Sequence, residues 1–291
     1  MKHIGLVVGE SASLPKEIIE KHQMAFVPYV VDWGQGENLP GENIFQKMRE
    51  ADKKGIKGPQ TSQPSPWTFK KIFEEELIKS EKIVCITLSS KLSGGYNSAC
   101  QGKKMLDEKD GERIYIIDSF NASAGEGLFD LRAAELINKE KNIEKIAKEL
   151  KNFIPAVHLF GMVEDPKWLE AGGRMSHTLA NLVRQMAKIG MRPLLGVRKG
   201  EIIPVALKMQ AKDVPTALFR ELELETKKPR ENGKKIKAAI VHADNPEGAK
   251  KLNEMIKENL KETEVVFINL VDSIIGVHVG PGSLLCAWHE F

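Results

Sequence analysis

The sequence predicts an α/β protein of two domains: an N-terminal three-layer α/β/α domain with a parallel sheet, and a C-terminal two-layer α/β domain with a mixed sheet. Short apolar segments alternate with amphipathic segments through the first half, which is typical of a parallel sheet. Beyond Pro155 the order of elements changes and a hairpin pattern appears. With 291 residues the chain fits two domains of ordinary size. We predict domains at 1–154 and 155–291.

The elements of the first domain follow from its hydrophobic periodicity. Strands are predicted over Ile4–Val8, Ala25–Val31, Ile83–Leu88 and Arg113–Ile117. Helices are predicted over Pro15–His22, Asn43–Lys53, a segment from Pro66 to Leu77, Tyr96–Asp107, Gly127–Asn138 and Ile143–Phe153. In the third helix Ser65 is the expected cap and Pro66 suits the first turn. Phe69, Phe73 and Leu77 then share one face.

The elements of the second domain are more mixed. Strands are predicted over Val157–Val163, Ile236–His242, Glu264–Leu270 and Ile274–Val279, with a hairpin of Pro193–Val197 and Ile202–Leu207. Helices are predicted over Pro166–Ala171, Leu179–Ile189, Val214–Leu224 and Glu247–Asn259. The basic segment Lys227–Lys235 contains Pro and Gly, and we expect a loop there.

Composition and charge exclude several classes of function. The formal net charge of +3 is too small to make nucleic acid the main partner. No apolar run approaches the ~18 residues of a membrane span. Three cysteines without paired spacing give no disulfide framework, so a reducing cytoplasm is expected. The seven histidines show no metal-ligand spacing, and we predict no metal.

Three strands of the first domain end in loops rich in hydroxyl groups and glycine. These loops cover residues 9–13, 89–95 and 118–125. The carboxyl ends of parallel strands share one sheet edge, where ligands bind, and each loop opens a helix with free N–H groups. A fourth loop, Gly58–Pro66, is similar in composition. Any one loop could be an ordinary turn, but four together predict a polar site.

The chemistry of these loops suits a weakly charged head group. Lys91 is the sole cation of the three strand-end loops, whereas a phosphate usually recruits Arg, Lys or a metal. Neither a GxxxxGK[ST] nor a GxGxxG motif is present, and no cofactor is predicted. Neutral donors can hold a single carboxylate if each oxygen finds partners. This reasoning leaves the rest of the ligand open.

A histidine near the C-terminus, His278, precedes the rigid turn Gly280–Gly282. In a strand of alternating type its side chain could point into the cleft between the domains. The alternative is a hydrogen-bonded core histidine, which is common because histidine is intermediate in burial. The residues alone leave both interpretations open.

Several blocks together resemble the DegV family. They are Thr61-Ser62-Gln63-Pro64-Ser65, Leu88-Ser89-Ser90-Lys91-Leu92-Ser93-Gly94, Ile117-Asp118-Ser119, Gly172-Gly173-Arg174 and Gly276-Val277-His278-Val279-Gly280-Pro281-Gly282. They occur in the family's order and, with Ser11–Pro15, cover nearly the whole chain. As a set, the first two blocks are specific.

This resemblance implies a protein that binds a long-chain fatty acid between its domains and catalyses nothing itself. The implied ligand-binding residues are Thr61, Ser62, Ser93, Gly94, Gly95, Ser119, His278 and Gly280. Among them Thr61 and Ser93 would bind the carboxylate, and His278 would approach from the second domain. A separate fatty acid kinase is the implied partner, forming an acyl phosphate for phospholipid synthesis, with Arg174 on the kinase-facing side.

The chain departs from the family pattern in places. Glu10 stands where the family has Asp, Gly95 replaces a Thr, and the segment Lys208–Lys212 is less Arg-rich. Two alternative functions follow from the same residues. One is a serine-dependent acyl hydrolase with Ser93 and His278, although no GxSxG motif is present. The other is a small-carbonyl binding subunit similar to that of dihydroxyacetone kinases. An apolar tunnel for the acyl tail would include residues such as Phe26, Ile116 and Phe160.

Overall fold

The structure, a computed structural model, describes residues 2–209 and 213–291. The departure at Gln210–Lys212 lies outside the described residues. The strands are β1 Lys2–Gly9, β2 Ala25–Val27, β3 Val30–Asp32, β4 Gln60–Ser62, β5 Ser80–Thr87, β6 Ile114–Asp118, β7 His158–Met162, β8 Met191–Arg198, β9 Glu201–Met209, β10 Ile236–His242, β11 Thr263–Leu270 and β12 Leu284–Glu290. The helices are α1 Lys16–Lys21, α2 Ile44–Lys53, α3 Pro66–Leu77, α4 Gly95–Lys104, α5 Glu108–Gly111, α6 Ser123–Lys139, α7 Ile143–Phe153, α8 Lys167–Ala171, α9 His177–Lys188, α10 Val214–Glu231, α11 Pro246–Asn259 and α12 Ser273–Val279.

The first half contains a four-stranded parallel sheet in the order β2-β1-β5-β6. Its central strands are continuous apolar runs because both faces are covered. Helices α3 and α4 pack on one face, and α6 and α7 pack on the other. The predicted three-layer arrangement is therefore confirmed.

Helix α3 illustrates how local sequence signals act. The Ser65 hydroxyl accepts a hydrogen bond from the Thr68 N–H at 3.1 Å, and a proline occupies the first turn. Phe69, Phe73 and Leu77 are buried against the sheet. The predicted cap and apolar face are both present. This helix fixes the end of the loop that carries the hydroxyl block Thr61–Ser65.

The second half contains a six-stranded mixed sheet in the order β11-β10-β12-β7-β8-β9. The pair β10–β11 is parallel and the other pairs are antiparallel. Helices α10 and α11 cover one face, with Leu218, Leu252 and Phe160 in a shared core. The hairpin predicted around Lys199 is formed by β8 and β9.

The other face of the mixed sheet is covered by α6, a helix of the first half. This helix contacts β1 as well as β10 and β12, and one apolar cluster contains Val8, Leu128 and Leu285 together. The two halves therefore share a core. The chain passes between them at the 3₁₀ turn Ile154–Ala156. The domain boundary at 154/155 stays a prediction that coincides with this turn.

The segment predicted as a strand at Ile274–Val279 is instead the helix α12, so that prediction was wrong. Asp272 caps the helix, and its Oδ1 accepts hydrogen bonds of 2.9 Å from the N–H groups of Ile274 and Ile275. All residues of the run from Ile274 onward are buried. An apolar run buried on every side has no distinguishing period, so pattern alone could not separate helix from strand.

Four other predictions need correction. The predicted strand Ala25–Val31 divides at Pro28, because proline has no N–H for a ladder, and its two parts join different sheets. The predicted loop Gly58–Pro66 contains β4, which pairs with β3. The predicted loop at Lys227 is largely helix, since α10 continues to Glu231 with Pro229 in its last turn. No strand was predicted after Val279, yet β12 lies inside the mixed sheet.

Candidate functional site

A narrow cavity lies between the two halves, bounded by β3–β4, the α4 loop, α12 and one face of the mixed sheet. The space between its walls, with the open solvent at its mouth included, is about 800 Å³. Only about 80 Å³ of that space admits the centre of a water molecule. The walls are therefore close together, as a channel for a thin ligand requires.

Most of the wall is aliphatic. Its apolar side chains are Leu88, Leu92, Leu159, Val163, Leu169, Leu195, Val197, Ile202, Ile274, Ile275, Val279 and Leu285. They come from the loop after β5, from the mixed sheet and the segment that follows β7, from α8 and from α12. An apolar wall of this extent cannot satisfy a polar ligand, so any polar group of the ligand must meet the few hydroxyl, amide, imidazole and guanidinium groups present.

Thr61 and His278 form the first polar pair at the wall. Strand β4 and helix α12 bring the Thr61 Oγ1 and His278 Nε2 atoms to 2.8 Å. Burial, and then the charge of Arg174, lower the pKa of His278 to about 4, so the imidazole is neutral at pH 7. A neutral imidazole has one N–H. If Nε2 carries it, Thr61 accepts that bond and its own hydroxyl hydrogen is free to face the cavity.

Ser93 occupies the wall just before helix α4. Its Oγ accepts a hydrogen bond of 3.2 Å from the N–H of Gly95. The N–H of Gly94 has no acceptor among the described residues, as expected at a helix N-terminus. Gln63 lies against Gly94 and also lines the cavity. The wall therefore gains the Ser93 hydroxyl and the amide of Gln63, which comes from the loop after β4. Gly94 and Gly95, both predicted to bind the ligand, are adjacent to Ser93 but are not among the lining residues.

Arg174 lies on the cavity wall rather than on an outer face. Its Nε donates to the Leu92 carbonyl at 3.1 Å and its Nη1 donates to the Gly172 carbonyl at 2.5 Å. Within residues 2–209 and 213–291 it has no carboxylate partner, and burial lowers its pKa. It therefore supplies a cation at the cavity wall, close to His278 and to the loop that carries Ser93. The kinase-facing role expected for Arg174 stays a prediction.

Tyr29 is a polar residue of the wall that sequence reasoning missed. It lies between β2 and β3, where its N–H donates to Glu10 Oε2 at 2.9 Å. Its side chain lines the cavity, and burial raises the pKa of its hydroxyl. A side-chain Cβ at position 95 would lie only 2.9 Å from this hydroxyl. The lack of a side chain at Gly95 therefore has a steric explanation. Glu10 has a structural role, because its carboxylate accepts the Tyr29 N–H.

A further hydroxyl, that of Ser123, joins the wall at the start of α6. The Ser13 Oγ lies 3.0 Å from Ser123 Oγ and donates to Asp272 Oδ2 at 2.5 Å. The Ser13 hydroxyl hydrogen is donated to Asp272, so the Ser123 hydroxyl must donate to Ser13. The lone pairs of the Ser123 oxygen then face the cavity. Burial raises the pKa of Asp272 to about 7. The same carboxyl caps α12, so this network also orients the helix that bears His278.

Not every expected site residue reaches the wall. Ser119 is fully buried, and its Oγ accepts from the Asn121 N–H at 3.1 Å within its own turn. Gly280 has a φ of +77° and admits the Trp168 ring, so its place is structural. Ser62 lines the cavity edge and is exposed. The tunnel residues suggested from sequence, Phe26, Ile116 and Phe160, are absent from the lining.

The side chains needed for a hydrolytic triad are not assembled. The His278 Nε2 pairs with Thr61 and not with Ser93. Its Nδ1 is buried and has no partner among the described residues, whereas a triad base is oriented there by a carboxylate. Ser93 and His278 therefore do not form the nucleophile–base pair of the hydrolase alternative in this structure. Among the described residues no helix is both long and apolar enough to cross a bilayer.

The fold and the cavity define a class of two-domain α/β proteins that enclose an apolar channel between their halves. A family model described as uncharacterised protein, DegV family, matches residues 3–289. Protein DegV of Bacillus subtilis is 31% identical over 291 residues, covering 98% of this chain and 99% of that protein. A fatty acid-binding protein of Thermotoga maritima is 30% identical over 298 residues, covering 97% and 96%.

This chain belongs to the DegV family. A crystal structure described as DegV, a fatty acid binding protein from Bacillus subtilis, superposes with a TM-score of 0.80 at 28% identity, covering all of both chains. The likeness extends over both halves, so the relative arrangement that creates the cavity is shared. The resemblance inferred from the sequence blocks is confirmed.

Proposed function

We propose that this protein binds one long-chain fatty acid in the cavity, with its carboxylate at the polar wall and its tail along the aliphatic wall, and catalyses no reaction itself. The observation that carries this proposal is the pairing of a narrow aliphatic channel with hydroxyl groups at one part of its surface. The naming of two relatives as fatty acid-binding proteins supports it.

The energetics favour such a ligand. Burying ~14 methylene groups at ~0.8 kcal/mol each contributes roughly 11 kcal/mol. Immobilising the ligand costs several kcal/mol of this. Tight binding then requires only that the head group suffer no unpaired burial. Thr61, Ser93 and the Gly94 N–H can each give one hydrogen bond, and Arg174 supplies a compensating charge nearby.

The first test is the ligand carried by the protein as purified from cells. Native mass spectrometry should show a single fatty acid adduct that organic extraction removes. The double variant Thr61→Ala, Ser93→Ala should weaken retention by about an order of magnitude or more, since two hydrogen bonds to a charged group are lost. Thr216→Ala, which removes a hydroxyl bound to Asp213 on α10, is the matched control. A protein that neither carries nor takes up a fatty acid would refute the proposal.

We further propose that the bound carboxylate is presented to a separate ATP-dependent fatty acid kinase, as the family resemblance implies. The head-group wall contains exposed positions, Ser62 and Gln63, so the carboxylate end is the accessible end of the cavity. The Nη2 group of Arg174 has no acceptor within the described parts of the chain. It can therefore serve an incoming phosphoryl group or a partner.

An assay with protein, ATP and a fatty acid kinase tests this role of Arg174. Arg174→Ala should lower acyl phosphate formation about tenfold, because one charged hydrogen bond is lost, and should lower fatty acid retention much less. Equal losses in both measurements would mean that Arg174 serves the ligand alone. Lys188→Ala, on the exposed end of α9, is the control for a surface charge outside the cavity wall.

A further inference from the structure

The side chain of Trp168 lies where a loop of the first half meets the turn after α12. It projects from α8, one turn before Gly172, and it packs against the apolar core that the two halves share. The residue does not line the cavity itself. The proposed function therefore gives Trp168 no contact with the ligand, although both of its neighbouring segments lead to residues of the polar wall.

One end of the indole contacts the first half of the chain. A Cβ at Gly58 would lie 2.9 Å from the Cζ3 atom of Trp168, and Gly58 begins the segment that leads into β4 and Thr61. The neighbouring Lys167 adds to this connection, because its Nζ lies 2.6 Å from Asp52 Oδ2 on α2 and 5.0 Å from the centre of the Trp168 ring. The start of α8 is therefore attached to the first half by a ring contact and an ion pair.

The opposite end of the indole contacts the turn that follows α12. A Cβ at Gly280 would overlap the Cδ1 atom of Trp168 and would lie 2.7 Å from its Nε1. The φ of +77° at Gly280 also disfavours any residue with a side chain. Gly280 comes two residues after His278, so the ring lies against the end of the helix that carries the imidazole.

The indole thus lies between the two segments that supply Thr61 and His278, whose Oγ1 and Nε2 atoms are 2.8 Å apart. We propose that Trp168 is a positioning residue that sets the distance between Thr61 and His278 and so keeps the Thr61 hydroxyl aimed at the ligand. This inference rests on the proposed function, because it takes the carboxylate of a bound fatty acid as the group that Thr61 holds.

The two glycines make this arrangement sensitive to the ring. With no side chain at Gly58 or Gly280, the backbones of both segments approach the indole directly, and neither residue has atoms that could replace it. Removing a large apolar side chain leaves space into which its neighbours relax. A shift of about 1 Å would lengthen the contact between Thr61 and His278 beyond the range of a hydrogen bond.

Binding of palmitate and of 1-hexadecanol to the delipidated full-length protein tests this role. The two ligands have chains of the same length, but only palmitate presents a carboxylate to Thr61. Trp168→Ala should lower the preference for palmitate about tenfold, as expected for the loss of one charged hydrogen bond. Trp67→Ala is the matched control and should leave the preference unchanged. That indole also lies 5.0 Å from a lysine, Lys70, but it is exposed and does not line the cavity.

A double-mutant cycle separates positioning from general stability. In a protein that already contains Thr61→Ala, Trp168→Ala should leave the remaining preference unchanged, because the contact through which it acts is gone. A merely structural role would weaken both ligands equally, with or without Thr61→Ala. Should Trp168→Ala fail to fold, Gly58→Ala takes its place in the cycle, since it keeps the ring but displaces it.

The outcomes distinguish this inference from the function on which it depends. If the native protein binds neither compound, the fatty acid proposal itself fails. If it binds palmitate no better than hexadecanol, or if Trp168→Ala leaves the preference unchanged, Trp168 does not position the head-group pair. The same conclusion holds if Trp168→Ala lowers the preference as much with Thr61→Ala as without it.

Discussion

At the scale of single residues, the hydroxyl groups of Thr61 and Ser93, which the sequence predicted as ligand-binding, do line the cavity. The direction of their hydrogen bonds could not be predicted from the sequence. Thr61 and Ser93 are ordinary turn residues by composition. Their usefulness depends on which neighbours occupy their hydrogen-bonding sites, and these are the His278 imidazole for Thr61 and the Gly95 N–H for Ser93. Tyr29 gave no signal because a tyrosine after a proline at a strand end is unremarkable. Its role became visible only through its contacts.

A glycine next to His278 provides a residue-scale prediction. A Cβ at Gly172 would lie 2.1 Å from His278 Nδ1, so the imidazole would have to move away from Thr61. The backbone of Gly172 is helical, with φ of −78°, so alanine itself is not strained there. We expect Gly172→Ala to lower fatty acid retention about tenfold through the lost head-group bond, with little change in fold. Retention is measured by mass spectrometry and folding by circular dichroism.

The matched variant for this experiment is Gly111→Ala. At that position a Cβ would meet only the Lys103 carbonyl at 3.6 Å, an ordinary contact. Retention should be unchanged in this control. If Gly172→Ala retains ligand as well as the unchanged protein does, the imidazole has no part in holding the head group.

At the scale of elements, the helix α12 decides the geometry of the site. Its cap Asp272 is linked through Ser13 to Ser123 on the opposite wall, and its last turn carries His278. A strand at this position would have alternated its side chains between two faces. A helix instead places Ile274, Ile275, His278 and Val279 on the cavity together, which is the i, i+1, i+4, i+5 spacing of a single helical face.

Helix α6 has an equal influence on the geometry of the site because it packs against both sheets. Its first turn supplies Ser123 to the cavity and also carries Glu126, and its apolar residues pack on the mixed sheet. This helix therefore connects the buried acids Glu126 and Asp130 to the core. It also explains why its apolar pattern is weakly one-sided: both faces are covered, and eleven of its residues are buried.

At the scale of the whole molecule, buried ionisable groups should make stability depend on pH. Burial lowers the pKa of five histidines, so the folded state resists protonation and their contribution to stability is lost as pH falls below about 6.5. These are His22, His158, His242, His278 and His289. Burial raises the pKa of Glu126 and Asp130 well above normal. For these acids the folded state binds more protons than the unfolded state, so stability falls as pH rises.

The two effects oppose each other in mild acid, but above about pH 7 the histidines are neutral in both states. We therefore expect the free energy of unfolding to fall as pH rises above 7 for as long as Glu126 and Asp130 keep their protons in the folded protein, by at most about 1.4 kcal/mol per pH unit for each acid. Urea unfolding between pH 7 and 9 measures this slope. The double variant Glu126→Gln, Asp130→Asn should flatten it, whereas Glu75→Gln on the exposed face of α3 should not. A slope unaffected by the double variant would mean that these acids are already ionised in the folded protein.

The sequence by itself determined the fold class, most strands and helices, the hydroxyl-rich loops and the family. It could do so because apolar periodicity, caps such as Ser65 and turn residues act over a few neighbouring positions. Only the tertiary structure decided that residues 273–279 form a helix, that β12 lies inside the second sheet, and that Arg174 and Tyr29 line the cavity. Those outcomes depend on what packs against each segment from distant parts of the chain, and a run such as Ile274–Val279 is buried on all sides. Burial on all sides removes the periodic signal, so the position of such a segment is set by long-range contacts that no local pattern contains.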